Sequence, residues 1–504
     1  MARNDKDSEL VLGLITTVGT EVNGVIKAIK DQLSFFHYDV DEVIVSNTII
    51  SQFESTPKKE WTSEFERISH YMDLGNKIRK SAGDNSILMK GVARQLYQKR
   101  DKDSNNHPKP RKRIAYIIKS IKHPAEVEFM RDTYGEGFHL IGVTSSNERR
   151  IEYLTKRKGL TPEQADLLLE RDANEDLKQG QHTQDAFQHA DYFINITEDS
   201  DYTYNSVSRL IDLLFGDPFI CPSFDEYAMF MAYASSLRSA DLSRQIGAVI
   251  AKDNEILASG ANDCPRAGGG LYWPVLKDHG KYEDEPDGRD YMFKEGYDSN
   301  KIEQRKMIDS ILKAFELEVT EESIYKAKRA GIGDLTEYGR VVHGEMEALL
   351  TCARNNISCR GATLYATTFP CHNCAKHIIA AGLKRVVYIE PYPKSKAFQF
   401  YPAEITDGKT IGNKVVFEPF TGVGPQRFVD LFAVSSARWY ARKRKNNQGY
   451  KLKWDRDKAE LRNPISLINY LEAEKLALMV FEDETVALKG DNNKEEEDNR
   501  EEHN

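Results

Sequence analysis

Two short stretches carry the residues that can do chemistry. "VVHGEMEALL" (341–350) sets His343 and Glu345 two positions apart in an otherwise apolar helical run, and "FPCHNCAKHI" (369–378) holds a Pro-Cys-x-x-Cys sequence with Cys371 and Cys374. Taken singly, the first reads as a buried polar pair and the second as a redox dithiol. Together they read differently. Two thiols three positions apart, where a strand gives way to a helix, converge on one point, and the positive end of the helix dipole favours their thiolates. Pro370 suits that helix entry, where its missing N–H costs little. Two thiolates and one imidazole make a three-ligand zinc site with an open fourth position. A purely structural zinc fills all four positions, and the chain has no second Cys-x-x-Cys. His343 is the third ligand in this reading, and Glu345 reaches the open position. A water activated there needs a partner that takes its proton and hands it to a leaving group, and a carboxylate beside the metal does this. Cys221, Cys264, Cys352 and Cys359 read as ordinary buried or loop thiols. His372 and His377 flank the site without being ligands.

The elements that must position these residues follow from periodicity. "GATLYATTFPC" (361–371) reads as a strand, "HNCAKHIIAAGL" (372–383) as a helix and "KRVVYIEP" (384–391) as a strand. Upstream, "FDEYAMFMAYASSLRS" (224–239) reads as a helix and "QIGAVIAKDNEILASGAND" (245–263) as a β-hairpin around Lys-Asp-Asn-Glu. Residues 264–340 form a long polar insertion with helical patches. The first half has another rhythm. "ELVLGLITTVGTEVNGVIKAIKDQL" (9–33) reads as strand, Gly/Thr loop and helix; 112–121, 138–145 and 190–197 are three further apolar runs parted by charged, helix-like sequence. Strands alternating with helices predict a doubly wound parallel sheet closing near 210–216. The fold class is thus α/β twice over. A first domain spans 1–218, a second spans 219–488 with the insertion inside it, and 489–504 is a disordered acidic tail.

The pairing of His-x-Glu with Pro-Cys-x-x-Cys resembles the zinc deaminases of cytosine and adenine, in which the Glu is acid/base and not a ligand. Within them the chain resembles the cytidine deaminase-like α/β/α fold and its deoxycytidylate deaminases, over roughly 224–264 and 340–400. "SRQIGAVI" resembles the family's first core strand and "ASGAND" its second with the following loop. The resemblance implies that Asn262 contacts the substrate sugar, that Thr368 of "TTFPCHNC" lies in the substrate site, and that the cofactor is Zn²⁺. Gly344 stands where the family usually has Ala, and the 264–340 insertion is the larger departure. The first half resembles P-loop nucleotide kinases. Gly13, Gly19 and Thr20 stand where the phosphate loop would be, which implies a nucleotide at this domain. The loop lacks the Lys of G-x-x-x-x-G-K-[ST], and its glycines are one residue too far apart, so a degenerate domain without transfer activity is the expectation. The region around Arg149, Arg150, Arg171 and Asp172 corresponds to a lid. The two halves together resemble bacterial anti-phage dCTP/dCMP deaminases of the AvcD type. That resemblance implies conversion of dCTP and dCMP to deoxyuridine nucleotides, depletion of dCTP during infection, and restraint by an inhibitory small RNA.

Composition sets the bounds. In 504 residues the net charge is −9, which argues against a DNA-coating role. No run of apolar residues is long enough to span a membrane, and "MARNDKDSEL" is too charged for a secretory leader. A cytoplasmic homo-oligomer is expected. Two other classes compete with a free-nucleotide deaminase. A nucleic-acid editing deaminase would use a basic, aromatic-rich stretch such as "RWYARKRKNNQGYKLKW" (438–454), which would equally suit a docked RNA. A kinase-like sensor with a dead deaminase is opposed by the intact His343, Glu345, Cys371 and Cys374.

Overall fold

The computed structural model describes residues 7–53, 61–102, 104, 108–173, 182–293, 296, 298–392, 395–408, 412–434, 443–463, 465 and 470–481. The chain divides into two compact units. One comprises the residues up to Pro222 with those from Thr421 on, and the other is Ser223–Phe420.

In the first unit the apolar runs become parallel strands. β1 (Leu10–Thr16), β2 (Asp39–Ile44), β3 (Ile114–Ile121), β4 (Phe138–Thr144) and β5 (Tyr192–Asn195) lie in the order β5-β4-β1-β3-β2. β1 is buried along its whole length, as a parallel strand covered on both faces must be. Helices Asn23–Ser34 and Ser200–Leu214 turn Val25, Ile29, Leu33, Val207 and Ile211 into the core against it. The run 9–33 thus folds as read. β2, Asp-Val-Asp-Glu-Val-Ile, is an edge strand with one fully buried residue, so its charges hid it from an apolar-run reading. A two-residue strand, Gly422–Val423, adds antiparallel to β5.

The chain divides at Pro222, where the sequence suggests a boundary near 218, and the second unit ends at Phe420, where the sequence suggests 488. Residues from Thr421 on belong with the first unit. Long-range polar burial explains this. Tyr470 donates to Glu9 at 2.9 Å, and Glu474 accepts from Tyr134 at 2.5 Å and from the fully buried Arg100. Partners this distant in sequence leave no local periodicity to read. The tail 489–504 lies outside the described residues.

The second unit is built on a six-stranded sheet. β6 (Gly247–Lys252) and β7 (Glu255–Ala261) form the expected hairpin, its tip at Asp253 and Asn254 with φ of 52° and 62°. Two consecutive left-handed residues make a type I′ turn, for which Asp and Asn are suited. A small ribbon, β8 (Val275–Leu276) with β9 (Tyr282–Glu283), stands apart in the insertion. β10 (Thr363–Thr368), β11 (Arg385–Glu390), β12 (Ile405–Asp407) and β13 (Val415–Pro419) complete the order β12-β13-β11-β10-β6-β7. β10, β11, β13 and β12 pair in parallel, and β6 pairs antiparallel to β10.

Helix Gly344–Arg354 packs Ala348, Leu349 and Cys352 onto this sheet and comes to backbone contact with it at Gly260. A Cβ on Gly260 of β7 would lie 2.2 Å from the Gly344 carbonyl oxygen and 2.4 Å from the Ala348 nitrogen. Gly344 is itself crowded, since a Cβ there would sit 2.9 Å from the Ile246 carbonyl oxygen. The departure from Ala at 344 therefore matches a close backbone approach.

The insertion leaves and re-enters at adjacent points. Val342 N–H donates to Asp263 O at 3.0 Å, and Asp263 N–H donates to Val342 O at 3.3 Å. Between them, helices Ser299–Ala314 and Glu321–Arg329 close a small core of Ile308, Leu312 and Ile324. Joined ends and a private core let so long an insertion leave the sheet intact.

Candidate active site

Local chain geometry brings the two chemical stretches together. His343 is the extended residue that opens helix Gly344–Arg354, with φ −67° and ψ 150°. Cys371 opens helix His372–Ala380, just past the carboxyl end of β10, and its Sγ accepts from Cys374 N–H at 3.4 Å. His343 Nδ1 lies 3.4 Å from Cys371 Sγ and 3.3 Å from Cys374 Sγ. Glu345, only 4% exposed, places Oε2 3.6 Å from Cys374 Sγ.

The donor set fits zinc. A tetrahedral ion about 2.3 Å from sulfur and about 2.0–2.1 Å from nitrogen has S···N edges of about 3.5 Å. The two edges here are close to that. His343, Cys371 and Cys374 are the one group of three or more His, Cys, Asp or Glu that could hold a metal ion among the described residues. Cys371 is pulled down to about 4, first by the hydrogen bond from Cys374 and then by the His343 imidazole, against burial. His343 is pushed up to about 9, first by its hydrogen bond to Cys371. Cys374 is pushed well above the usual thiol range, first by its bond to Cys371. Burial raises the Glu345 carboxyl.

These groups open on a cavity of about 220 Å³ that is also lined by Arg244, Asn262, Thr368 and Tyr392. The Asn262 amide is already engaged. Its Oδ1 accepts from Ile246 N–H at 2.6 Å and its Nδ2 donates to Arg244 O at 2.7 Å. Each amide atom keeps one further hydrogen-bonding capacity, so the group both fixes the 244–246 segment and can meet a ligand. Thr368 donates to Glu390 at 2.9 Å, and Glu390 in turn pairs with Arg244. His377 bonds the Asn373 carbonyl of its own helix at 2.7 Å, His372 packs on Phe400, and neither lines the cavity. Arg244 and the cavity residues of the insertion escaped sequence reading. Arg244 sits inside "SRQIGAVI", where a lone cation before a strand gave no spacing to notice.

The first unit treats its candidates differently. Gly13 lies inside β1, where a Cβ would meet Ile121 at 2.7 Å and Phe138 at 2.9 Å; packing explains it and it is not in the loop. Gly19 is in the loop with φ +83°, and Thr20 bonds Thr17 through their hydroxyls at 3.0 Å. In the same loop the Val18 N–H donates to the buried Asp172 carboxylate at 2.7 Å. Lys122 holds the other oxygen of that carboxylate at 2.8 Å, and Arg150 donates to Val18 O at 2.8 Å. Arg150 and Asp172 thus do reach the loop, and they close it. Arg171 pairs with Asp73 at 2.6 Å.

Known proteins resemble the second unit. The family model for the cytidine and deoxycytidylate deaminase zinc-binding region matches residues 222–390. The deoxycytidylate deaminase of Enterobacteria phage T2 is 30% identical over 166 residues, which are 33% of this chain and 79% of that protein. The enzyme of Enterobacteria phage T4 is 29% identical over 166 residues, 33% of this chain and 77% of that one. The dCMP deaminase of cyanophage S-TIM5, solved with dCMP and dUMP, aligns with 40% of this chain and 99% of its own at 20% identity and a TM-score of 0.23. Fold and donor set define a zinc-binding deaminase of the cytidine deaminase-like class. The chain belongs to the deoxycytidylate deaminase family, and it is a hydrolytic deaminase acting on deoxycytidine nucleotides. No helix among the described residues is long and apolar enough to cross a membrane.

Proposed function

We propose that the chain deaminates dCMP, dCTP or both, with zinc held by His343, Cys371 and Cys374 and protons carried by Glu345. The convergence of the three ligand atoms beside a buried carboxylate is the observation that carries this reading. When bound, the ion supplies Lewis acidity toward a water molecule. Glu345 takes a proton from that water as its oxygen bonds to C4 of the cytosine. It returns that proton to the ring nitrogen N3, then takes the proton of the new C4 hydroxyl and passes it to the amine. The C4–N bond breaks, ammonia leaves and the C4 carbonyl forms, so cytosine and water become uracil and ammonia. The spare N–H of Asn262 binds a sugar hydroxyl, and Thr368 holds its side of the pocket through Glu390. Burial of Glu345 keeps bulk water from the proton path.

The same reading places the protein among anti-phage deaminases that drain dCTP, in the cytoplasm, as a homo-oligomer, with the first unit regulatory and an inhibitory small RNA as its restraint. The missing Lys and the Asp172 carboxylate on Val18 favour a P-loop-like unit that does not transfer phosphate. A nucleotide bound there would enter the cavity of about 200 Å³ lined by Val18, Tyr71, Lys119 and Lys122. Of the basic stretch 438–454, the described part starts at residue 443, where Lys451 lies 4.3 Å above the Phe219 ring.

The test is ammonia release by the purified chain from dCMP, dCTP, cytidine and a cytosine-containing oligonucleotide. Turnover of a deoxycytidine nucleotide with none of the oligonucleotide is expected. Turnover of the oligonucleotide alone overturns the reading in favour of an editing deaminase.

A further inference from the structure

The cavity at Glu345 is not closed by the deaminase sheet alone. Part of its lining comes from the insertion, namely Asp290, Asp298, Asn300, Thr336 and Gly339, followed by Val341 where the chain re-enters. Residues 335–339 form neither helix nor strand, so something else must hold them against the cavity.

Helix Ser299–Ala314 does so with one face. Gln304 Nε2 and Asn300 Nδ2 each donate to Leu335 O at 2.7 Å. Asn300 Oδ1 accepts from Tyr338 N–H at 3.3 Å, and Ser299 Oγ donates to Tyr338 O at 2.8 Å. Ile332 packs on the helix core of Ile308, Leu312 and Ile324, which anchors the near end of the segment. The far end is fixed by the Asp263–Val342 bridge. The segment is therefore tied at both ends and in the middle, and Thr336 is carried between the ties. Gln304 is 6% exposed and does not line the cavity, so it acts on the cavity through the segment it bonds, at Leu335 and Gly333.

We propose that the segment from Leu335 to Val341 is a substrate-binding wall of the nucleotide pocket, with Thr336 as its contact and Gln304 as its positioning residue. The proposal rests on reading this cavity as the deoxycytidine nucleotide site. The metal-binding residues and Glu345 belong to the sheet and its two helices, whereas the wall belongs to the insertion's own small core. Loosening the wall therefore alters nucleotide entry and leaves the chemistry in place.

The test uses the full-length zinc-loaded protein and steady-state kinetics on dCMP and dCTP. Gln304→Met keeps side-chain length and removes the amide. Its expected effect is a KM about tenfold higher, the scale of one or two lost hydrogen bonds, with kcat within about twofold and zinc unchanged. Thr336→Trp leaves the Gln304 bonds alone and fills the cavity, and it should raise KM at least as much. If Gln304→Met loses zinc or cooperative unfolding, Thr336→Trp alone decides. Unchanged KM in both variants overturns the wall, as does a fall in kcat at constant KM, which would put the segment in the chemistry. A parent protein with full zinc and no turnover of either nucleotide sinks the deaminase reading instead. The wall is then read from equilibrium binding of dCMP, where Gln304→Met must still be about tenfold weaker than the parent.

Discussion

Replacing Glu345 by Gln separates proton transfer from metal holding. The carboxylate is in the first turn of helix Gly344–Arg354 and is 4% exposed. Gln has nearly the same shape, so the pocket should keep its packing. The three ligand atoms come from His343, Cys371 and Cys374, so zinc content should stay at the parent level. An amide cannot take a proton from water and return it to the ring. Losing a positioned acid/base costs about 10²–10⁴ in rate, or about 2.7–5.5 kcal/mol of barrier. The assay is ammonia release under saturating dCMP and dCTP, with zinc measured on the same sample and dCMP binding by calorimetry. Full zinc, retained binding and a kcat at least about a hundredfold down support the reasoning. A kcat within about threefold of the parent would refute it. Loss of zinc would refute it differently, by making Glu345 a ligand.

Cys371→Ser should lose most of its zinc, since a serine hydroxyl is a poor substitute for a thiolate; full zinc on metal analysis would remove Cys371 from the site. Asn262→Ala should keep zinc yet lose most activity on dCMP and dCTP, because the amide both holds the 244–246 segment and has one N–H to spare; parent-like kinetics would end its role. ATP with deoxynucleoside monophosphates should give no phosphoryl transfer, and robust turnover would show that Asp172 leaves Val18 during a catalytic cycle. Burial holds the His139 imidazole down to about 3, with Arg427 and Arg131 pressing the same way and Asp191 opposing. Its folded form is neutral, so protons favour the unfolded chain. Stability of the first unit should fall by ~1.4 kcal/mol per pH unit from about 6.5 toward about 3, and a His139→Phe variant whose denaturation midpoint keeps the parent's acid slope would exclude His139 as the cause.

The chemistry was legible because it depends on residue type and short spacing. His-x-Glu and Pro-Cys-x-x-Cys each fix a local geometry, and the structure joins them as read. The strands flanking them were legible for a similar reason: β6, β10 and β11 are buried apolar runs with turn residues at their ends. What lay beyond reading depends on distant partners. Arg244 lines the cavity and pairs with Glu390, 146 positions away, and Glu9 meets Arg100 and, across most of the chain, Tyr470. The division at Phe420 escaped reading for that reason, since an antiparallel two-residue strand and a buried ion cluster give no periodic signal. Gly13 misled in the opposite way. A glycine near a predicted loop invites a phosphate role, yet in β1 it makes room for Ile121 and Phe138.

Gly344 shows how a departure from the family pattern becomes readable once the backbone is seen. Substitution to Ala would press a methyl to 2.9 Å from the Ile246 carbonyl. Ile246 is the residue whose N–H donates to Asn262, and the carbonyl oxygen of Ile246 accepts from the Asn262 backbone N–H at 3.0 Å. The glycine that brings His343 and Glu345 down onto the sheet therefore also sets the backbone to which the Asn262 amide is bound. The metal-binding residues and the Asn262 amide are coupled through a single close approach, and the coupling is steric. A larger residue at 344 moves the helix away from the segment that carries Arg244 and Ile246, so its effect should reach nucleotide affinity as well as zinc.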